Sequence, residues 1–401
     1  MKRHLALVLR LLLALAGGGY IVATLTWTDH ATLPAGYELA SGRTLAEPVR
    51  AEVVGELPTS PGAELTLRLP GELDGPGEVT AELEAVRVDP GLGTTLGRAE
   101  PGLLMLGLGL VALVPLLQAW RWLALMRARR LDPGYRQTLR LTLAGLFFNF
   151  CLPGTTGGDV ARAWYAARHT RQRADAVMSI FFDRATGLTG LALLAALMGL
   201  TLLDRPRAGV LVGWIWLVLA GLVVLSAAYF SDRVRRLVRL DRLLGHLGET
   251  NLLVRIDRAA LAYRDHVRVL VGAVAVSLPV HMCLMLGTAL AGWALGMDAP
   301  MTLLLTVLPI VYLAGAVPIS YQGLGVMEAL AIALLPGPPE VTANQVVGML
   351  MFGRLFLAVY ALAGTVPLLR GQMHLFPAAH EPESEPAPQS PQMDAQRPTA
   401  G

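Results

Sequence analysis

The chain of 401 residues has little charge, little cysteine and almost no lysine. Charged residues make up only 16% of it, and Lys2 is the single lysine, so arginine carries nearly all the positive charge. The two cysteines, Cys151 and Cys283, lie in apolar stretches without the spacing of metal ligands. We therefore expect both to be small core residues, and we expect neither a metal site nor a cofactor.

Apolar sequence is what the chain has in excess. Hydrophobic residues make up 54% of it, and its mean hydropathy is +0.52. Several runs exceed the ~18 apolar residues that suffice to span a bilayer. This composition excludes an ordinary soluble domain and predicts an all-α polytopic membrane bundle. Because the arginines border the apolar runs, as they do in membrane proteins, we expect no binding to nucleic acid.

The first apolar run covers residues 5–27 and follows Lys2 and Arg3. It is longer than the apolar core of a typical signal peptide, and no small-x-small cleavage site follows before Asp29. We therefore interpret residues 1–27 as a first transmembrane span, an uncleaved signal anchor. A cleaved signal peptide is the alternative.

Residues 28–100 have a different character, because they are acidic and rich in turn signals. Apolar and polar residues alternate in residues 63–69 and 78–88. This period of two predicts short, half-buried strands. We therefore expect a small β-rich extracytoplasmic insertion, and no motif in it indicates catalysis.

The rest of the chain predicts five further spans and two polar segments. The spans lie at about 102–126, 176–203, 208–230, 267–295 and 342–369, all inside a transmembrane domain that covers residues 101–370. Residues 231–266 are basic and predict either an amphipathic cytoplasmic helix or a solvated linker. Residues 371–401 are expected to be a disordered, Pro-rich cytoplasmic tail.

Two apolar stretches, residues 147–159 and 318–328, are interrupted in the same way. Each holds a proline, a small polar patch, two glycines and then a carboxylate, Asp159 or Glu328. Residues 141–153 are too few to cross a hydrocarbon core of ~30 Å at ~1.5 Å per residue. Arginines flank the first break and none flanks the second, which predicts re-entrant hairpins entering from opposite faces.

The expected fold therefore has six full spans plus two oppositely oriented re-entrant hairpins, in an inverted-repeat-like layout. Both termini are expected to be cytoplasmic. A half-helix that begins inside the membrane presents free N–H groups, which favour anions. The candidate substrate-binding residues are Asn149, Thr155, Thr156, Gly157, Gly158, Asp159, Arg162, Asp183, Arg184, Ser320, Gln322, Gly323, Gly325, Glu328 and Arg354.

Charged groups inside apolar sequence need a partner. Arg184 and Arg354 interrupt predicted spans, at a cost of ~2.5–3.5 kcal/mol each at a helix centre. In a structural role, Arg184 would pair with Asp183, and Arg354 with Glu328 or Asp159. In a functional role, their planar forks would bind the phosphate of a passing lipid. The two carboxylates Asp159 and Glu328 would pair with arginine, bind a cation or proton, or cap a half-helix.

Two further groups of side chains receive structural interpretations. Trp120, Arg121 and Trp122 stand near the end of a predicted span and are expected to anchor it at the membrane interface. His281 follows Pro279 within a span and is expected to be a core histidine rather than a ligand.

These residues resemble the lysylphosphatidylglycerol synthase transmembrane-region family, also called flippase-like. The likeness rests on residues 147–162, with the pattern Pro-x-x-x-Gly-Gly-Asp-x-x-Arg, and on residues 183–188 and 318–328. The positions that match the family motifs are Gly158, Asp159, Arg162, Asp183, Arg184, Gly323, Gly325 and Glu328. The resemblance implies that a phospholipid or a lipid-linked sugar moves between the leaflets of a bacterial cytoplasmic membrane. The insertion at 28–100 and the lack of an aminoacyl-transfer domain depart from the full synthase, so we expect no synthesis of lysylphosphatidylglycerol.

Three hypotheses of function follow. The leading one is a lipid flippase or scramblase whose partners are membrane lipids. The second is a non-catalytic accessory subunit that docks a glycosyltransferase or another envelope-biogenesis enzyme through residues 28–100 or 231–266. The third, a lipid-modifying enzyme, is disfavoured because the sequence offers no nucleophile–base pair and no metal cluster. We therefore expect no enzymatic activity.

Overall fold

The structure is a computed structural model. It describes residues 16, 18–39, 44–58, 60, 62–70, 78–151, 157–168, 170, 172–203, 206–237, 251–317, 320–337 and 340–370. This part of the chain is mostly helical, with a small sheet near the N-terminus. The expected first span lies largely outside the described residues, although residues 18–24 are helical, and the expected tail lies wholly outside them.

Five short strands form one antiparallel sheet in the order β4-β3-β2-β1-β5. The strands are β1 (His30–Leu33), β2 (Val49–Val53), β3 (Glu64–Arg68), β4 (Glu78–Glu82) and β5 (Arg87–Asp89). Leu65 and Leu67 are buried while Glu64 and Arg68 are exposed, as the alternation predicts. One detail differs, because a 3₁₀ turn at Leu83–Ala85 divides the second alternating stretch into β4 and β5. The turn is needed because these two strands lie at opposite edges of the sheet.

Helices make up the rest of the described chain. They are α1 (Leu92–Gly97), α2 (Pro101–Val111), α3 (Leu113–Arg127), α4 (Tyr135–Cys151), α5 (Gly157–Arg168), α6 (Arg173–Gly199), α7 (Pro206–Phe230), α8 (Asp232–Leu237), α9 (Leu252–Leu261), α10 (Val267–Ala294), α11 (Met301–Ala316), α12 (Val326–Leu334), α13 (Ala343–Ala363) and α14 (Thr365–Leu369). Short 3₁₀ turns lie at Leu200–Leu202, Arg264–His266 and Tyr321–Gly323.

Several helical stretches are long and apolar enough to cross a membrane. In the described residues they are Pro101–Arg127, Arg173–Leu202, Gly209–Phe230, Leu253–Ala294 and Ala343–Pro367. They coincide with the spans expected after residue 100. The chain is therefore a multi-pass membrane protein.

The segment at 231–266 is helical where the structure describes it, so a solvated linker is the wrong interpretation of that part. Ala259 and Ala260 of α9 are buried in a cluster that includes Phe182 of α6. The guanidinium of Arg235 pairs with Asp257 at 2.8 Å. Residues 240–247, which carry most of the expected apolar face, lie outside the described residues.

Four helices around the two breaks are short. They have 17 residues in α4, 12 in α5, 16 in α11 and 9 in α12. At ~1.5 Å per residue even α4 reaches only ~25 Å, less than a hydrocarbon core of ~30 Å. Helix α4 begins at Tyr135 rather than at residue 141, because its start is set by Gly134, which has φ +78°, and not by hydropathy.

The two breaks meet. The Tyr321 hydroxyl donates to the carbonyl of Phe150, and the Gln322 amide donates to the carbonyl of Asn149 at 3.4 Å. The two helix pairs begin beside different contacts. The α4–α5 pair starts near the end where Arg129 bonds Asp175, and the α11–α12 pair starts where the Asp298 N–H donates to the Glu340 carbonyl.

Candidate functional site

A cavity of about 300 Å³ lies where the two breaks meet. Helices α3 to α6 line one side of it, and α10, α11 and α13 contribute to the other. Its charged and amide-bearing lining residues are Gln118, Arg121, Asn149, Asp159, Arg162, Asp183, Arg184, His281, Gln322 and Arg354. Four guanidinium groups therefore surround one small space between apolar helices.

Asp183 is the buried centre of the first half of the site. Arg121 Nε donates to one carboxylate oxygen at 2.9 Å, and Arg162 Nη2 donates to the other at 3.1 Å. Arg121 Nη1 also donates to the Ser277 hydroxyl at 2.6 Å. Only 4% of the Asp183 side chain is exposed. The carboxylate thus balances two guanidinium groups at a depth where an unpaired charge would be strongly unfavourable.

Asp159 connects this cluster to Arg184. Its two oxygens lie 3.5 Å from Arg162 Nη1 and 3.7 Å from Arg184 Nη1. The guanidinium of Arg162 also lies 4.0 Å from the centre of the Trp122 ring, a cation–π arrangement. Its Nε is buried and has no hydrogen-bond acceptor among the described residues.

Glu328 is the corresponding carboxylate of the second break. One oxygen accepts the Gly325 N–H at 2.8 Å and so caps the start of α12. The other accepts Arg354 Nη1 at 2.5 Å. Glu328 therefore takes two of the roles that its position suggested, the helix cap and the structural partner of Arg354. The Nε of Arg354 is also buried without an acceptor in the described part of the chain.

The cavity wall holds about half of the residues predicted from the sequence. Those that line it are Asn149, Asp159, Arg162, Asp183, Arg184, Gln322 and Arg354. Those that lie outside its lining are Gly157, Gly158, Ser320, Gly323, Gly325 and Glu328. Thr155 and Thr156 lie outside the described residues. The side-chain oxygen of Ser320 is buried, and no described residue bonds to it.

Gly158 is a packing position between α4 and α5. Its N–H donates to the Asn149 side-chain oxygen at 2.8 Å, so this amide caps the start of α5. A Cβ on Gly158 would lie 2.0 Å from the carbonyl oxygen of Gly145. Gly323 also needs to be glycine, because its φ is +72° and a Cβ would lie 2.8 Å from Gly315 Cα. These glycines let the walls of the cavity form.

Substituting Gly158 by alanine is expected to lower stability by ~1–3 kcal/mol or more, because the new methyl group forces α4 away from α5. The measurement is the thermal unfolding midpoint of the detergent-solubilised protein. Gly213→Ala is the matched control, since nothing lies within 4 Å of a Cβ at Gly213 on α7. The control is expected to keep or raise the midpoint. Equal midpoints for the two variants would show that the close approach at Gly158 is not structural.

Three interpretations of single residues need correction. Arg121 is 5% exposed and Trp122 fully buried, so neither is an interfacial anchor; the anchor interpretation remains only for Trp120, which is 53% exposed. Arg184 contacts Asp159 while Asp183 bonds Arg121 and Arg162, because adjacent residues of a helix do not face each other. Cys151 is exposed at the end of α4 and is not a core residue.

Sequence reasoning missed Arg121 as a site residue, although a signal was present. Arg121 lies six residues before Arg127, which begins the arginine cluster, and it is therefore inside the apolar run like Arg184 and Arg354. His281 also lines the cavity, where its Nε2 lies 3.0 Å from the carbonyl oxygen of Gly187.

The comparisons with known proteins place this geometry in context. A family model described as "Lysylphosphatidylglycerol synthase TM region" matches residues 89–364. The matched range contains the whole cavity and leaves out β1 to β4. No curated protein and no solved structure matches the chain.

Proposed function

Because the chain belongs to the family of the lysylphosphatidylglycerol synthase TM region, we propose that it is a flippase- or scramblase-like transporter. It moves an anionic headgroup of a phospholipid or a lipid-linked (polyprenyl or glycosyl) molecule between the leaflets of a bacterial cytoplasmic membrane. Its partners are membrane lipids, and the transfer involves no covalent step. The headgroup passes through the cavity, and the acyl chains stay in the surrounding lipid.

The observation that carries this proposal is the guanidinium of Arg162. It lines the cavity, about nine-tenths of its side chain is buried, and its Nε has no acceptor among the described residues. A buried donor without an acceptor costs ~1–3 kcal/mol. A phosphate oxygen supplies a charge-assisted acceptor for such a donor, and arginine is suited to phosphate by its planar fork.

The outer surface of α6 supports a route from lipid to cavity. Val177, Phe181 and Leu188 are exposed and share one face of the helix with Arg184. Acyl chains beside this apolar row would keep the lipid next to the cavity while its headgroup enters at Arg184. Without a transport role, this apolar row would be an ordinary lipid-facing surface of a membrane helix.

The distribution of arginine supports an orientation. Arg127, Arg129 and Arg130 lie at one end of the bundle, whereas residues 295–340 contain neither arginine nor lysine. By the positive-inside rule the α4–α5 pair re-enters from the cytoplasm and the α11–α12 pair from outside. The Asn344 side-chain amide donates to the carbonyls of Thr26 and Pro90 at 2.9 Å, which holds the sheet at the end of the bundle where residues 295–340 lie. Residues 28–100 are then extracytoplasmic, with both termini cytoplasmic.

Reconstitution tests the proposal. Proteoliposomes with a lipid that is fluorescent on its acyl chain should exchange it between leaflets faster than empty vesicles, as dithionite quenching measures. Arg162→Gln is expected to slow exchange by roughly tenfold or more, since a hydrogen bond to a charged group contributes ~1.5–3 kcal/mol. Arg127→Gln is the control, because the Arg127 side chain is 56% exposed and lies outside the cavity.

Exchange no faster than in empty vesicles would contradict a transport function. That result would support the accessory-subunit hypothesis, under which chemical cross-linking in membranes is expected to recover a stable enzyme partner. Equal exchange by the wild type and Arg162→Gln would contradict the role of the cavity.

A further inference from the structure

The positive and negative charges of the cavity's ionic groups do not sum to zero. Four guanidinium groups, those of Arg121, Arg162, Arg184 and Arg354, line it. Their carboxylate partners are three, Asp159, Asp183 and Glu328. The described groups therefore leave one net positive charge.

The neighbouring side chains that the structure describes do not change this balance. Residues 152–156 and 318–319 complete the two breaks, and their sequence contains no ionisable side chain. His281 lies in the cavity wall with Arg121 and Arg184. We count it as neutral, because a further positive charge beside these two guanidinium groups is unfavourable.

The surplus charge lies on the side of the first break. Glu328 is wholly buried and pairs with Arg354, so the second break is neutral by itself. In the first, Arg121 and Arg162 share Asp183, and Arg162 and Arg184 share Asp159. Three guanidinium groups thus share two carboxylates. The Arg162 Nε that lacks an acceptor in the described structure belongs to this half.

We infer that the cavity selects a headgroup with one net negative charge, that is, a phosphodiester without a compensating ammonium group. The inference rests on the proposed function and narrows its substrate class. Between apolar helices, uncompensated charge of either sign is less favourable than in water. A bound phosphodiester brings the net charge of the described groups to zero. A phosphomonoester or diphosphate makes this net charge negative, while a zwitterionic or aminoacylated headgroup leaves it positive.

A panel of acyl-labelled lipids with natural headgroups tests the inference in the reconstituted full-length protein. The panel contains phosphatidylglycerol, phosphatidic acid, phosphatidylcholine and lysylphosphatidylglycerol, each in the same vesicle lipid. Phosphatidylglycerol is expected to exchange about tenfold faster than the other three, because the interaction between two unit charges about 12 Å apart, at an effective dielectric constant of about 20, corresponds to roughly a tenfold change in rate.

The outcomes separate the two proposals. If no lipid exchanges above the rate in empty vesicles, the transport function fails and this inference fails with it. If lipids exchange but phosphatidylglycerol has no advantage, the charge selection is wrong while the transport function stands.

Two variants change the net charge in opposite directions. Arg184→Gln brings it to zero and is expected to shift the preference towards phosphatidylcholine. Asp159→Asn raises it to a surplus of two and is expected to favour phosphatidic acid. General damage to the fold slows all lipids alike and cannot produce opposite shifts. Arg127→Gln, outside the cavity, should keep the wild-type order. The wild-type order in both cavity variants would overturn the inference.

Discussion

Replacing Asp183 by asparagine is expected to destabilise the protein by ~3–5 kcal/mol, the range found when one partner of a buried ion pair is removed. Asp183 accepts from Arg121 and Arg162 through different oxygens, and its side chain is only 4% exposed. Asparagine keeps the shape but loses the charge, and its NH₂ group would turn a donor towards one of the two guanidinium groups. Both arginines would then lose their shared counter-charge in an apolar interior.

Asp175→Asn is the matched control for this change. Asp175 lies on the same helix, and Arg129 Nε donates to it at 2.8 Å. This pair is more exposed, at 20% for Asp175 and 23% for Arg129, so its loss is expected to cost about 1 kcal/mol or less. The measurement is the thermal unfolding midpoint in detergent together with the yield of monodisperse protein. Failure of Asp183→Asn to fold agrees with the prediction, whereas equal midpoints and yields for the two variants contradict it.

Much of the architecture was predictable because it depends on local sequence. Around the second break, α11 ends at Ala316 and α12 begins at Val326, within one residue of the limits that apolar runs, proline and glycine indicate. Strand β3 likewise follows the alternation in residues 63–69. Side-chain periods of 2 and 3.6 are properties of a short segment, so they can be recognised without knowledge of the fold.

The partners of the buried charges were not predictable in the same way. The sequence neighbour of Arg184 is Asp183, yet Asp183 bonds Arg121, which lies 62 positions earlier in the chain. This pairing depends on how α3 packs against α6, and no local period encodes it. Hydropathy alone also predicts an interfacial position for Arg121, because it places the end of a span only approximately.

The glycines of the motif show a second limit. Gly158 matches a family motif position and is a candidate substrate-binding residue by sequence. The structure instead shows Gly158 against Gly145, where the absence of a side chain lets two helices touch. A glycine pattern in the sequence indicates that another group comes close to the backbone. It does not distinguish a neighbouring helix from a ligand.

Filling the cavity is expected to stop lipid exchange. Ala316, the last residue of α11, lines the cavity on the side of the second break. In a protein carrying Cys151→Ser and Cys283→Ser, the single change Ala316→Cys provides a thiol at this position. A bulky methanethiosulfonate adduct would occupy much of a space of about 300 Å³ and exclude a headgroup. Val224→Cys is the control, because Val224 is 65% exposed on α7 and does not line the cavity.

The exchange rate of the Ala316→Cys protein in proteoliposomes, before and after this modification, therefore tests most directly whether the two breaks build one path for the headgroup. The expected result is a fall to the rate of empty vesicles when mass spectrometry shows complete labelling, and recovery when dithiothreitol removes the adduct. The labelled Val224→Cys protein should keep its rate. An unchanged rate in fully labelled Ala316→Cys protein would contradict the account.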